Sequence, residues 1–457
     1  MNKEAAMKQA FEKFSPFQVN PDKVWADYDI TDSDFEPATS EEKESMVEIR
    51  KSVSYWRDAA RRFKKNTVSM VALFVFLVIL FFAFAGPKFI PYDYAKQYRG
   101  SQKLGPMEYS KQEEMIRSIE DDVDCMYATA LQPGSKPSLD PGDYYFKFKG
   151  KTYCFNLEQK LSESVIFLKG SDLAIAKNAH IQNGDIKRST PLDYTSEIKE
   201  GAKEIDVVTS VFPHVVGTDS QGRDILARTM YGARVSIIIG IVAALIVLVI
   251  GSIYGAVSGL CGGPVDFVMM RIVELIYSVP EVLIVLLLQV VLKDPLQAWF
   301  DASDSLLANA LSTLGAGIVS IFITFAVLYW VTMARIVRGQ VLMLKKQEFV
   351  TAATALGASN GRIIRRHLLP NCVGQLVITT CLQIPSAIFL ESFLSFLGLG
   401  VSAPMASLGS LCSDALGTIT IFPYRLLFPG IILTIIVLTL NLVGDGLRDA
   451  LDPRLKK

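Results

Sequence analysis

"EFVTAATALGASNGRIIRRHLLPN", Glu348 to Asn371, is a basic, helix-prone stretch with long apolar segments on either side. Leu344, Phe349, Val350, Ala353 and Leu356 recur at spacings that suit one face of a helix, and Gly357 is a natural stop for it. A second turn and helix follow in "SNGRIIRRHLLP", with Pro370 expected to close it because proline donates no backbone hydrogen bond. The small side chains of Thr351, Ala352, Ala353 and Ala355 would let another protein surface approach closely. Arg362, Arg365 and Arg366 would meet acidic groups or lipid phosphates, and Ile363 would pack. The reading is a compact knob for docking, provided that the flanking segments cross a membrane. The plainer alternative is an ordinary basic loop between spans.

The flanks meet that condition. Half of the 457 residues are apolar, the mean hydropathy is positive, and roughly 20 apolar residues suffice to cross the hydrocarbon core as a helix. Six segments qualify: 66–86, 235–259, 272–292, 313–334, 372–399 and 428–446. Glu274 and Pro280 interrupt the third, and Gln383, Pro385 and Glu391 the fifth. The formal net charge is zero, which gives no sign of a nucleic-acid partner. The hydrophilic start shows no secretory leader, so the first span is expected to stay in the chain.

Lysine and arginine near span ends tend to remain cytoplasmic. "RDAARRFKKN" before the first span, the loop after the fourth and the C-terminal "DPRLKK" therefore place both termini and the 335–370 loop in the cytoplasm. Residues 1–65 form a cytoplasmic extension. Within it Thr39 and Glu42 fit a capping box, and Met46, Ile49, Val53, Trp56, Ala60 and Phe63 form a stripe suited to lipid headgroups or a partner. Residues 87–215 form an external insert, expected to be a small α+β domain. Its "YYFKFKGKTYCFNL" alternates as a hairpin about a Lys-Gly turn. Cys125 and Cys154 both lie there and could form a disulfide if the region is extracytoplasmic. With three histidines and no C-x-x-C pair, a metal site is not expected.

The loop resembles the EAA loop of bacterial ABC importer permeases, in which E-A-A, three residues and Gly precede a basic helix ending near Pro. Thr351, Ala352 and Ala353 stand at the E-A-A positions and Gly357 at the glycine, with Thr351 replacing the usual Glu. "GTDSQGRDILARTMYGARVS", Gly217 to Ser236, is similar to the stretch before the second span of C-type permeases of oligopeptide and dipeptide importers. Gly217, Thr218, Asp219, Gly222, Arg223, Asp224, Arg228, Gly232 and Arg234 carry the likeness. "FLESFLSFLGLG" and "NLVGDGLRDALDPR" resemble the fifth span and tail of that subfamily. The resemblance covers 60–86 and about 213–457, with the insert and the N-terminal extension outside it.

It implies an all-α polytopic membrane protein of the type I ABC importer (MetI-like) permease fold, with its core at 216–457, multi-pass in the bacterial inner membrane. It implies as partners a second, B-type permease, two ATPase subunits that bind ATP and Mg, an extracytoplasmic solute-binding protein, a peptide substrate and membrane lipid. Thr351, Ala352, Ala353, Ala355, Leu356, Gly357, Arg362, Ile363, Arg365 and Pro370 would couple to the ATPases. The chain has no phosphate-binding loop and no catalytic set, so it is expected to hold no cofactor and not to be the motor.

Charges inside a membrane are functional candidates. Glu391 would face the translocation path or fix helix packing, and Glu274, one turn from Arg271, would be structural. A secondary transporter or channel working without ATPases remains the alternative, together with an external domain merely anchored by the spans.

Overall fold

In a computed structural model of the chain, the described residues are 55–97, 101–110, 127–129, 138–148, 150–162, 165–169, 172–176, 181–182, 185–186, 189–208, 212–303, 305–401 and 405–451. The chain divides into two units, 1–57 and 58–457. The capping box and Met46, Ile49 and Val53 of the N-terminal stripe lie outside the described residues.

Among the described residues, six helices are long and apolar enough to cross a membrane: Thr67–Phe84, Ile225–Cys261, Glu281–Ala302, Ala316–Leu344, Asn360–Phe396 and Tyr424–Leu451. In chain order the helices are α1 (Tyr55–Lys65), α2 (Thr67–Phe84), α3 (Ile225–Cys261), α4 (Gly263–Ser278), α5 (Glu281–Ala302), α6 (Leu306–Ser312), α7 (Ala316–Thr324), α8 (Trp330–Leu344), α9 (Glu348–Ala355), α10 (Asn360–Ile363), α11 (Leu369–Phe396), α12 (Leu408–Leu416) and α13 (Tyr424–Leu451). A π turn at Phe325–Tyr329 joins α7 to α8, and another at Ile364–Leu368 joins α10 to α11.

Two sequence expectations about these helices are corrected. The third span does not begin at 272: Val279 is extended, Pro280 caps α5, and Glu274 lies on the separate helix α4, paired in the open with Arg271 at 2.5 Å. Pro280 lacks the N–H that would carry α4 onward. Pro370 does not close the second helix of the loop either. It stands in the first turn of α11, where a missing N–H costs least, and the preceding π turn carries the helix through.

α3 is the central strut. Gly251, Gly255 and Gly259 line its contact with α8, and a Cβ on Gly255 would lie 2.4 Å from the Ala334 carbonyl oxygen. Spaced four apart, these glycines let two backbones approach as helices in a membrane do when packing replaces a hydrophobic drive. Gly240 similarly admits Ile388 of α11. The resulting core holds Val247, Ala256, Ile321, Phe325, Met333, Ala334, Val337 and Leu394. α2 leans on α13, where Ser69 donates to the Leu442 carbonyl at 3.1 Å and Gly446 makes room for Ser69 and Phe63. On α1 the buried position is Ala59, and Ala60 is exposed, so the inward face sits one residue from the expected stripe.

The insert contains β1 (Gly142–Phe148), β2 (Lys151–Leu157), β3 (Val165–Lys169), β4 (Asp172–Ala176), β5 (Ser189–Pro191), β6 (Tyr194–Thr195) and β7 (Lys203–Glu204). They form a four-stranded sheet, β6-β2-β1-β7, and a three-stranded sheet, β5-β4-β3. The hairpin read from the sequence is β1–β2, in register from Gly142↔Leu157 to Phe148↔Lys151. Tyr144, Phe146, Tyr153, Phe155 and Leu157 bury one face with Leu173 and Ile205. Cys154 on β2 is buried with a free thiol, and Cys125, the other half of the possible disulfide, lies outside the described residues. Burial in the sheet pushes the Cys154 thiol up, away from the reactive thiolate.

Candidate functional site: the loop between spans four and five

α8 ends at Leu344, and Lys345 turns the chain while its ammonium donates to the Leu260 carbonyl at the end of α3. α9 then presents two faces. Val350 and Ala353 are buried and belong, with Ile363 and Leu368, to the face turned to the helical core. Thr351, Ala352, Ala355, Arg362, Arg365 and Pro370 are exposed. So are Phe349 and, at 89% of its surface, Leu356, two residues that the sequence pattern placed on the inner face. Phe349, Val350, Ala353 and Leu356 form one stripe along α9, and only its Val350–Ala353 edge meets the core.

Gly357 ends α9 with φ +78°, a left-handed conformation that residues with a Cβ rarely adopt. Its N–H reaches the Thr354 carbonyl at 2.9 Å and that of Ala358 the Ala353 carbonyl at 3.0 Å, the pair of bonds of a Schellman cap. No atom lies within 4 Å of where its Cβ would be, so conformation and not space requires the glycine.

A charged clamp underlies the loop. Arg338 of α8 grips Asp266 of α4 through Nε at 2.6 Å and Nη2 at 2.5 Å, and the Ser258 hydroxyl of α3 donates to the same carboxylate. The hydrogen bonds from Arg338 hold the Asp266 carboxyl below the usual carboxylate range. Neither residue was singled out from the sequence, nor was the G-x-x-x-G-x-x-x-G run at 251–259. That run was the legible signal that α3 packs closely against another helix.

A cavity of about 820 Å³ opens nearby, lined by the α4–α5 corner at Tyr277–Glu281, by Tyr329 and Thr332, by Gln375, Thr379, Gln383 and Ser386 of α11, and by Arg448. Glu391 does not line it. Its side chain is fully buried, with Ser236 and Ser395 hydroxyls donating at 2.7 Å each and Ser392 at 3.3 Å. It ties α3 to α11, and the polar residues lining the cavity include Glu281, Gln375, Thr379, Gln383 and Arg448.

The family profile described as "Binding-protein-dependent transport system inner membrane component" matches residues 251–457. The profile for the "N-terminal TM domain of oligopeptide transport permease C" matches 54–106. The oligopeptide transport system permease protein OppC of Bacillus subtilis is 33% identical over 423 residues, 93% of this chain and 97% of that protein. The chain belongs to this family of binding-protein-dependent transport permeases. The dipeptide transport system permease protein DppC of Lactococcus lactis is 34% identical over 92% of the permease and 97% of its own length. DppC of Bacillus subtilis reaches 45%, over 53% of this permease and 70% of its own length. Alignments covering more than nine-tenths of the chain run through the insert, which corrects the expectation that 87–212 falls outside the resemblance. As a permease component of its system, the chain is not itself an enzyme.

Proposed function

We propose that the chain is the C-type permease subunit of an ATP-driven importer of oligopeptides or dipeptides, and that α9, Gly357 and α10 are the contact through which separate ATPase subunits move it. The observation that carries the coupling role is the exposed Phe349–Leu356 surface of a short helix whose adjacent edge is buried at Val350 and Ala353 and joins the span core through Val350. An apolar side chain as exposed as Leu356, on a rigid base, has the form of an interface anchor. Nucleotide and magnesium would belong to the ATPase partners.

In this reading the chain has an N-terminal extension to 65, a first span at 66–86, an insert at 87–215 and a permease core at 216–457. The termini and the loop face the cytoplasm, with the insert on the other side, where a solute-binding protein delivers peptide. The 820 Å³ cavity forms this chain's wall of the pathway, completed by a second, B-type permease. Movement of α9 passes to α8 and α11 because Val350, Ile363 and Leu368 pack in the same core as Val337 and Val341. The Asp266–Arg338 clamp carries the same movement to α4 and so to the cavity's α4–α5 corner.

A cysteine at Ala355 tests the reading. It should crosslink to a cysteine in the ATPase groove in the assembled transporter and react with thiol reagents from the cytoplasmic side. Labelling only from outside the cell would overturn both the orientation and the coupling role.

A further inference from the structure

On the insert's side of the spans, the start of α3, the end of α12 and the start of α13 enclose a second, smaller space of about 130 Å³. A single water needs about 10–15 Å³ of such room, so the space is ample for a small polyatomic ion. Arg223, Arg228 and Arg425 line it together with Asp219 and Asp414. Three guanidinium groups thus face two carboxylates, which leaves one positive charge in excess.

The carboxylates are committed elsewhere in the cluster. Asp219 accepts from Arg223 Nε at 2.6 Å and Arg228 Nη1 at 2.7 Å. Asp414, half exposed at the rim, lies 3.5 Å from Arg228 Nη2 and 3.7 Å from Arg223 Nη2. Arg425 is 5% exposed and Arg228 3%. Yet Nε and Nη2 of Arg425, and Nε of Arg228, have no hydrogen-bond partner among the described residues. Phe422 covers one face of the Arg425 guanidinium at 4.1 Å from its ring centre, leaving the edge as the bonding direction.

Buried guanidinium N–H groups without acceptors are costly, and a native site supplies something to meet them. Nε and Nη2 together form the edge of the fork that grips two oxygens of one anion. Arg338 uses that same edge on Asp266 in this molecule.

We propose that this pocket binds an oxyanion of the phosphate class, with the Arg425 edge as its bidentate clamp and Arg228 Nε as a third donor. The anion would neutralise the excess charge and lock α3, α12 and α13 together where the insert joins the spans. The phosphate group could be that of a free ion or of an anionic lipid headgroup at the membrane surface.

The full-length chain in nanodiscs separates these sources through its thermal unfolding midpoint. In phosphatidylcholine discs, inorganic phosphate is titrated at constant ionic strength against chloride. In a second arm, discs containing phosphatidylglycerol are used without phosphate. A saturable rise with phosphate identifies a free ion, and a rise confined to the phosphatidylglycerol discs identifies a headgroup. In either arm Arg425→Gln should weaken the response at least tenfold. Arg425→Lys should also weaken it, because lysine keeps the charge but loses the fork. Asp414→Asn, a change at a half-exposed rim position and readable even if the Arg425 variants do not fold, should tighten binding several-fold by removing a competing negative charge. No response in either arm, an unchanged response in the Arg425 variants, or weaker binding in Asp414→Asn would overturn the proposal.

Discussion

Arg338 holds both carboxylate oxygens of Asp266 although 72 residues separate them in the chain. That one contact fastens α4, which leads to the third span, to α8, which leads to the docking loop. Asp266→Asn keeps the shape but loses the charge-assisted pair, which contributes about 1.5–3 kcal/mol when hydrogen bonds to charged groups are well formed. The expected result is a lower unfolding midpoint and weaker coupling of ATPase activity to transport. A variant with an unchanged midpoint would show that the clamp is idle.

The same pair sets a pH dependence. Arg338 depresses the Asp266 carboxyl in the folded state, and Arg223 and Arg228 depress that of Asp219 against the opposing effect of its burial. A depressed folded value means that the stabilisation is present above the ordinary aspartate range, near pH 4, and is lost as pH falls through the folded value. The unfolding midpoint should therefore change little from pH 7 to 5 on account of these groups and fall below about pH 4. In Asp266→Asn the acid-induced fall should be smaller, as measured by midpoints across the series.

Gly357→Ala tests conformation apart from bulk. With open space around it, the substitution costs about 1–2 kcal/mol from the left-handed backbone alone. We expect a folded permease with impaired coupling, and a larger loss of peptide uptake for Gly357→Val, whose branched side chain tolerates that conformation less well. Normal uptake by both variants would remove Gly357 from the coupling role.

Leu356→Asp changes a side chain that is almost wholly exposed. Stability of the isolated chain should stay within about 0.5 kcal/mol, while affinity for the ATPase subunits falls tenfold or more, as for an interface anchor. Equal loss of both would mean that Leu356 packs within its own chain.

Gly255→Val drives a side chain toward the Ala334 carbonyl, 2.4 Å from the site of its Cβ. Overpacking of this kind costs about 1–3 kcal/mol or more. Gly339, on α8 with no atom within 4 Å of its would-be Cβ, is the control: Gly339→Ala should leave the midpoint unchanged or raise it.

Glu391 shows how far intramembrane charge can be read. Its rarity in an apolar span was visible, but its hydrogen-bond partners were not: three serines, two on its own helix and one 155 residues away. The exposed Leu356 was misplaced for a related reason. Periodicity marks an apolar stripe but not which edge of it a neighbouring helix covers.

The number of spans and the place of the Gly357 turn follow from the sequence by itself, because apolar length and a residue without Cβ act locally. Which side chains meet was decided by tertiary structure. Helices that are apolar on every side carry no periodic mark of the face they bury, so the Gly255–Ala334 contact, the Arg338–Asp266 clamp and the Arg425 pocket exist only once α3, α4, α8, α12 and α13 have packed. Their energies come from close approach and burial, which no single segment possesses alone.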